Sequence, residues 1–231
     1  MNKMKITFIS DTHTKHREIN KDLPGGDLII HAGDLMNSGY EPRDIADFVN
    51  WYSSLLTMDY KHRVFIAGNH DRMFEDNPEL AKELVDAYSG GLIYLQDQSH
   101  VIDGVKIYGS PYQPAFYDWA FNLPRNGWEL VLKWKDIPND TDILVTHGPP
   151  FGHCDVTPYG NLNVGCELLR VRVDELKPKI HVFGHVHSGY GYKFHEGTHF
   201  INAAVLNERY KYENKPLTIE WDPETNEIEF L

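Results

Sequence analysis

The sequence has little cysteine, few basic residues and no long apolar run. Its two cysteines, Cys154 and Cys166, are too few among 231 residues for a disulfide framework, and we expect reduced thiols. No apolar run approaches the roughly 18 residues of a membrane-spanning helix. The run from Ile6 to Ile9, near the amino terminus, is also too short for a signal-peptide core. These deficits predict a cytoplasmic protein without a membrane partner.

Acidic residues outnumber basic ones by 34 to 22, and the formal net charge is -12. Proteins hold long nucleic acids through clustered Lys and Arg, so such partners are not expected here. A pair of bound divalent cations would nevertheless reverse the sign of the charge within one cleft. A small phosphate is therefore compatible with the composition.

Short apolar runs alternate with helical patterns along the chain, which predicts an α/β fold. Without repeats, low-complexity tracts or linkers, residues 1–231 are predicted to form a single domain. The predicted strands cover residues 5–9, 27–32, 64–67, 92–95, 99–102, 105–108, 142–145, 180–183, 200–202, 217–221 and 227–231. The predicted helices cover residues 42–56, 78–88, 126–135 and 165–176, and Ser89-Gly90-Gly91 is expected to end the second one.

The stretch Gly68-Asn69-His70-Asp71 follows an apolar strand and combines three chemical capacities. The amide oxygen of Asn69 can bind a metal, the imidazole of His70 can move protons, and the carboxylate of Asp71 can orient that imidazole. Strand ends of this kind are where open α/β sheets place their ligand sites. The stretch alone is weak evidence, but four other predicted strands end in similar residues.

Metal-binding side chains recur at the ends of these strands. An isolated Asp-x-His is more often a capped loop, but within an extended segment two such side chains point the same way. The candidate metal ligands are Asp11, His13, Asp34, Asn69, His147, His185 and His187. This set contains no thiolate and suits Mn²⁺, Fe or Zn²⁺. Seven ligands are too many for one open catalytic ion but suffice for two if a carboxylate bridges them.

Other histidines and one aromatic segment carry weaker signals. We interpret His31, His181, His195 and His199 as structural, because they fall within apolar or strand-like runs. Residues 109–124 contain five aromatics and three prolines without helical or strand periodicity. Such a loop either forms a rigid wall for a flat group such as a nucleobase or packs on the body of the protein. The candidate substrate contacts in it are Tyr112, Phe116 and Trp119.

The order Asp-x-His, Gly-Asp, Gly-Asn-His-Asp, His, Gly-His-x-His resembles the calcineurin-like metallophosphoesterase superfamily, and the resemblance spans Asp11 to His187. Three further stretches look like the metallophosphoesterase-domain-containing (MPPED) class of phosphodiesterases. They are Gly109-Ser110-Pro111-Tyr112-Gln113-Pro114, Phe121-Asn122-Leu123-Pro124-Arg125 and Thr146-His147-Gly148-Pro149-Pro150-Phe151-Gly152. The resemblance implies a four-layer α/β/β/α sandwich of two mixed sheets with flanking helices.

The resemblance also implies the roles of the site residues. Asp11, His13, Asp34 and His187 would hold one metal, and Asp34, Asn69, His147 and His185 the other. Two divalent ions are implied, with Mn²⁺ favoured. A hydroxide bridging them would attack phosphorus in line, while His70 protonates the leaving oxygen and Asp71 orients His70.

The expected activity is that of a metal-dependent phosphodiesterase, with cyclic nucleotides such as 2′,3′-cAMP as candidate substrates. Two alternatives stay open at this point. One is a phosphomonoesterase or a nuclease on the same scaffold. The other is a binding module without catalysis, against which the complete ligand set argues.

Overall fold

The computed structural model describes residues 3–87 and 91–231, which form two six-stranded mixed sheets and a small two-stranded one. The strands of the first sheet, in spatial order, are Ile228–Phe230 (β14), Leu217–Trp221 (β13), Met4–Ile9 (β1), Leu28–Ala32 (β2), His62–Ile66 (β3) and Leu92–Tyr94 (β4). Those of the second are Gly191–His195 (β11), Thr198–Asn202 (β12), Ile180–Phe183 (β10), Ile143–Thr146 (β9), Val105–Ser110 (β6) and Gln98–Ile102 (β5).

The two sheets pack face to face, and helices cover their outer sides. Side chains of alternate positions, such as Ile6 and Ile30 from the first sheet and Val145 and Val182 from the second, form one shared core. The intervening positions of the central strands face the helices, which explains why β2, β3, β9 and β10 are buried on both faces. The helices are Pro42–Ser54 (α1), Met73–Asp76 (α2), Pro78–Asp86 (α3), Trp128–Lys135 (α4) and Glu167–Leu176 (α5). This arrangement confirms the predicted four-layer sandwich.

Sheet topology brings the predicted strand ends together. Strands β1, β2, β3 and β4 are mutually parallel, and so are β6, β9, β10 and β12. Parallel strands end at the same edge of a sheet. Ser10 after β1 bridges Ala204 after β12, so the edges of the two sheets are joined where these strands end.

Some boundaries differ from the sequence predictions. Residues 109–124 were predicted to lack strands, but Gln113–Pro114 (β7) and Asn122–Leu123 (β8) pair in parallel. Two-residue strands are too short to produce a periodic pattern, which explains the error. Strand β11 was not predicted either. The predicted end of the second helix at Tyr88, with Ser89 and Gly90 after it, lies outside the described residues.

The structure bears on two expectations from the composition, which concern the cysteines and membrane-spanning helices. Cys154 and Cys166 are both free thiols. Across residues 3–87 and 91–231, no helix combines the length and apolar character needed to cross a bilayer.

Candidate metal centre

The loops after β1, β2, β3, β9 and β10 meet at one edge of the sandwich and place the seven candidate ligands together. The first group is Asp11, His13 and His187, whose ligand atoms lie within 4.8 Å of one another. Nε2 of His187 is 3.3 Å from Oδ1 of Asp11. Nε2 of His13 is 3.6 Å from Oδ2 of Asp34, so this carboxylate borders the first group.

The second group is Asp34, His147 and His185, which satisfy the same 4.8 Å criterion. Nε2 of His147 lies 3.3 Å from Oδ1 of Asp34. Oδ1 of Asn69 is 2.8 Å from both Nε2 of His147 and Nδ1 of His185. The two oxygens of Asp34 therefore face different groups, a geometry that suits a carboxylate bridging two ions.

Backbone carbonyls fix the ring orientation of three of the imidazoles. The Nδ1–H group of His13 donates to Met36 O, that of His147 to Ala32 O, and that of His187 to Asn207 O, at 3.0–3.1 Å. Each ring therefore turns Nε2 toward the centre, as metal-binding histidines do when their other nitrogen donates to a carbonyl. Nε2 of His13 has no hydrogen-bond partner, although the side chain is buried. This unpaired atom and the oxygen and imidazole donor set fit divalent cations.

Burial and buried carboxylates shift the pKa of these imidazoles in opposite directions. Burial lowers the pKa of His13 to about 4 and that of His185 to about 3. Burial also disfavours charge on His147 and His187. For these two rings, however, the adjacent carboxylates of Asp34 and Asp11 outweigh burial and raise the pKa to about 9.

The local backbone differs from the extended form assumed in the sequence analysis. Asp11, His13, Asp34 and His185 have φ values of 55°, 40°, 59° and 67°. Their side chains therefore do not converge through the alternation of an extended strand, and that part of the reasoning was wrong. Non-glycine residues in this left-handed region are uncommon and often mark functional sites, where tertiary contacts offset the strain.

Two glycines allow the close approach of the loops. A Cβ at Gly68 would overlap the carboxylate of Asp34, and one at Gly184 would overlap the carboxylate of Asp11 and the hydroxyl of Ser10. The glycines in the Gly-Asn-His-Asp and Gly-His-x-His stretches thus make room for the two carboxylates of the centre.

Comparison with known proteins agrees with this geometry. A sequence model described as calcineurin-like phosphoesterase matches residues 4–189. The chain belongs to the calcineurin-like phosphoesterase family. Metallophosphoesterase domain-containing protein 1 of Homo sapiens is 40% identical over 236 residues, covering 94% of this chain and 70% of the human protein. UPF0046 protein C25E10.12 of Caenorhabditis elegans is 36% identical over 231 residues, covering 94% of this chain and 80% of that protein.

Solved structures support the fold of this phosphoesterase. The protein TT1561 of Thermus thermophilus has a TM-score of 0.66 at 14% identity, with 99% of this chain and 98% of that chain covered. Family membership confirms that the chain is a phosphoric ester hydrolase of a family that uses divalent metal ions. The role of each individual residue in the phosphoesterase stays a prediction.

The carboxylate of Asp71 does not orient His70, so this prediction was wrong. Asp71 accepts hydrogen bonds from four backbone N–H groups instead. The donors are Asp34 N (2.9 Å), Leu35 N (3.2 Å), Met36 N (2.8 Å) and Gly68 N (2.6 Å). Burial raises the pKa of this fully buried carboxyl to about 8, and the N–H donors, which belong to the loops after β2 and β3, favour its charged form against that effect. Asp71 therefore joins the two loops that carry Asp34 and Asn69.

The imidazole of His70 lies at the border of the first group. Its Nδ1–H donates to Asn37 O at 2.5 Å, and its backbone N–H donates to Oδ1 of Asp34 at 2.8 Å. The ring meets His13 edge to face, with 4.6 Å between ring centroids. A ring nitrogen of His70 also lies within 4.8 Å of the ligand atoms of His13 and Asp34. His70 is thus within reach of both the centre and the cleft that opens over it.

The cleft over the centre has a volume of about 450 Å³, and the three candidate substrate contacts relate to it differently. Phe116 lines the cleft and packs edge-on against His185, with 5.4 Å between the ring centroids. Tyr112 was wrongly predicted as a contact: it packs against Phe121, and the Lys133 ammonium lies 3.9 Å from its ring centroid. Its loop folds back onto the body of the protein, which periodicity could not show.

Three aromatic residues, Trp119, Tyr117 and Tyr159, occupy positions that the sequence did not predict. Trp119 does not line the cleft and stacks on His70 instead. Tyr117 and Tyr159 line the cleft with 83% and 80% of their surface exposed. The sequence offered a signal for Tyr159, because it lies between Pro158 and Gly160 and outside the predicted helices and strands.

The histidines interpreted as structural fit that interpretation where they are buried. Nδ1 of His31 accepts Gly33 N–H at 3.2 Å, so Nε2–H donates to the Thr12 hydroxyl at 2.9 Å. Nε2 of His181 is 2.9 Å from the hydroxyl of Thr146. Burial lowers the pKa of both histidines to about 3, so both rings are neutral.

The junction made by Asp71 can be tested with Asp71→Asn. The substitution places an amide NH₂ group against backbone N–H donors, so we expect the free energy of unfolding to fall by about 3 kcal/mol. Chemical denaturation measures this quantity. Asp86→Asn is the matched control, because Asp86 is exposed and pairs with Lys82 at the surface, and loss of such an ion pair should change stability little. Unchanged stability in Asp71→Asn would contradict the structural role.

The raised pKa values of His147 and His187 predict that metal binding releases protons. Below about pH 9, before a cation binds, both rings carry a second proton on Nε2. A cation that binds this nitrogen must displace that proton. Apparent affinity for Mn²⁺ should therefore rise with pH between 6 and about 9. Calorimetric titration in buffers of different ionisation enthalpy measures the released protons. Binding without proton release at pH 7 would show that these rings are already neutral.

Proposed function

We propose that this phosphoesterase hydrolyses phosphodiesters, with small nucleotide esters such as 2′,3′-cAMP as substrates. The observation that carries the proposal is the position of Asp34 between two groups of donor atoms, with one carboxylate oxygen facing each group. A site for a single ion would not require a carboxylate with one oxygen facing each of two donor groups. Paired cations are a common arrangement for in-line displacement at phosphorus.

The contacts support the following division of ligands. Asp11, His13, Asp34 and His187 would hold one ion, and Asp34, Asn69, His147 and His185 the other. Two bound divalent ions, for which the mixed oxygen and imidazole donor set accepts Mn²⁺, would supply Lewis-acid stabilisation of the phosphoryl oxygens and acidify a nucleophilic water.

His70 has the geometry of a general acid. Because its Nδ1–H is bound to Asn37 O, Nε2 is the nitrogen that can carry a second proton and deliver it to a leaving oxygen. The ring borders both the centre and the cleft, so a leaving group bound in the cleft would meet it.

The cleft supports a substrate with a flat organic part. Its volume of about 450 Å³ is typical of small-molecule sites, which span roughly 300–1,000 Å³. Phe116, Tyr117 and Tyr159 supply aromatic surface, and stacking on such surface is worth about 1–3 kcal/mol per base. The net charge of -12 argues against long nucleic acids. The two free thiols suit a reducing compartment such as the cytoplasm.

Hydrolysis of bis-p-nitrophenyl phosphate with Mn²⁺ tests the activity directly. We expect turnover that is lost on chelation with EDTA and restored by Mn²⁺. Rates on p-nitrophenyl phosphate, 2′,3′-cAMP and a short oligonucleotide then separate a diesterase from a monoesterase or a nuclease. No turnover of any diester by folded protein with any divalent metal would contradict the proposal.

The roles of Asp34 and His70 are separated by metal content. Asp34→Ala should lose bound metal, because both groups lose a shared oxygen ligand. His70→Ala should retain two ions per chain while losing about 10²-fold or more in kcat on 2′,3′-cAMP, the usual share of a general acid. Elemental analysis and steady-state kinetics measure the two quantities. Metal loss in His70→Ala with retention in Asp34→Ala would reverse the assignments.

A further inference from the structure

The imidazole of His70 is held by several neighbours, and its closest ring contact is with Trp119. The indole and imidazole rings stack with 4.0 Å between centroids and 24° between planes. The edge contact with His13 and the hydrogen bond to Asn37 O complete the enclosure. The stack fixes the plane of the ring, which a single hydrogen bond at Nδ1 leaves free to tilt.

Trp119 is itself fixed to the loop that carries His70. Three hydrogen bonds join the two segments. They run from Ala120 N–H to Asn69 O (3.0 Å), from Phe121 N–H to Oε1 of Glu75 (3.0 Å), and from the Arg72 guanidinium to Asp118 O. Ala120 and Phe121 are fully buried, which anchors the segment immediately after the tryptophan. The position of the indole is therefore set by the backbone on both sides of it.

Within residues 3–87 and 91–231, no carboxylate is hydrogen-bonded to the His70 ring. Asp71 is occupied by backbone N–H groups, and the hydrogen bond of the His70 ring goes to a backbone carbonyl. We infer that Trp119 is a positioning residue, whose indole face holds the His70 ring so that Nε2 points toward the leaving oxygen. The inference rests on the proposed function, in which His70 is the general acid.

A positioning role has a distinctive kinetic signature. A leaving group that departs as an alkoxide, such as the ribose oxygen of 2′,3′-cAMP, needs a proton from His70 in the transition state. A p-nitrophenolate leaving group needs little help from an acid, because it is a weak base. Misplacing the acid should therefore slow the first reaction and spare the second, while binding is unchanged.

The kinetic test compares Trp119→Leu, Trp119→Phe and His70→Ala on these two substrates with Mn²⁺. Trp119→Leu should lower kcat for 2′,3′-cAMP about tenfold or more, with KM and the rate on bis-p-nitrophenyl phosphate within about twofold of wild type. Trp119→Phe keeps a flat ring and should recover part of the loss. Trp128→Leu is the matched control, because this tryptophan is 68% exposed on α4 and lies outside the cleft.

The double variant His70→Ala/Trp119→Leu isolates the coupling between the two residues. Once His70 is absent, removing the indole should cost nothing further on 2′,3′-cAMP. A full additional loss in the double variant, or an effect on KM alone, would overturn the inference and make Trp119 a substrate wall. Inactivity of the wild-type protein on both substrates would instead refute the proposed function.

A nuclear magnetic resonance experiment tests the stack without catalysis. In the Zn²⁺-loaded protein, the ring current of Trp119 should move an imidazole proton of His70 upfield. The signal is assigned by its loss in His70→Ala. It should shift back in Trp119→Leu and stay in place in Trp128→Leu, at equal zinc content. An unshifted His70 signal in the wild-type protein would overturn the inference even if Trp119→Leu proved too unstable for kinetics.

Discussion

The centre depends on one buried carboxylate that binds backbone rather than metal. Asp71 gathers N–H groups from the loops after β2 and β3, and those loops carry Asp34 and Asn69. Without it, four N–H groups at this edge would lack their acceptor, at a cost of about 1–3 kcal/mol for each group left unpaired. This junction holds the loop that carries Asp34, and Asp34 borders both groups of candidate ligands. The separation between the two groups therefore depends on Asp71.

Charge explains why the centre needs cations. Asp11 and Asp34 are nearly inaccessible to solvent, and burial alone would raise the pKa of both. In each case a neighbouring imidazole, His187 or His147, keeps the pKa of the carboxyl well below its usual range. The buried carboxylates are thus stable only beside positive charge, which either protons on the imidazoles or divalent ions can provide.

Sequence reasoning found the candidate ligands because metal binding leaves a signature in residue type. Asp11, Asn69 and His147 each follow an apolar run, and parallel strands had to bring their ends to one edge. The conformation of these ends was not accessible: the left-handed φ of Asp11 arises from tertiary contacts with the loop after β2. The partners of Asp71 and Tyr112 were missed for a similar reason. Which of several nearby groups a carboxylate or a phenol ring meets depends on how loops cross, and no periodicity encodes that.

The two parts of the site are built from different layers of the fold. The candidate metal ligands emerge from the ends of sheet strands, whose register is fixed by a core shared between both sheets. The ring of His70, by contrast, rests on Trp119 from a loop inserted between β6 and α4. Phe116 and Tyr117 of that same loop line the cleft. One loop therefore both positions the candidate acid and shapes the space for the leaving group. We therefore expect changes in this loop to alter which ester is cleaved, while the strand ends and the candidate metal ligands on them stay as they are.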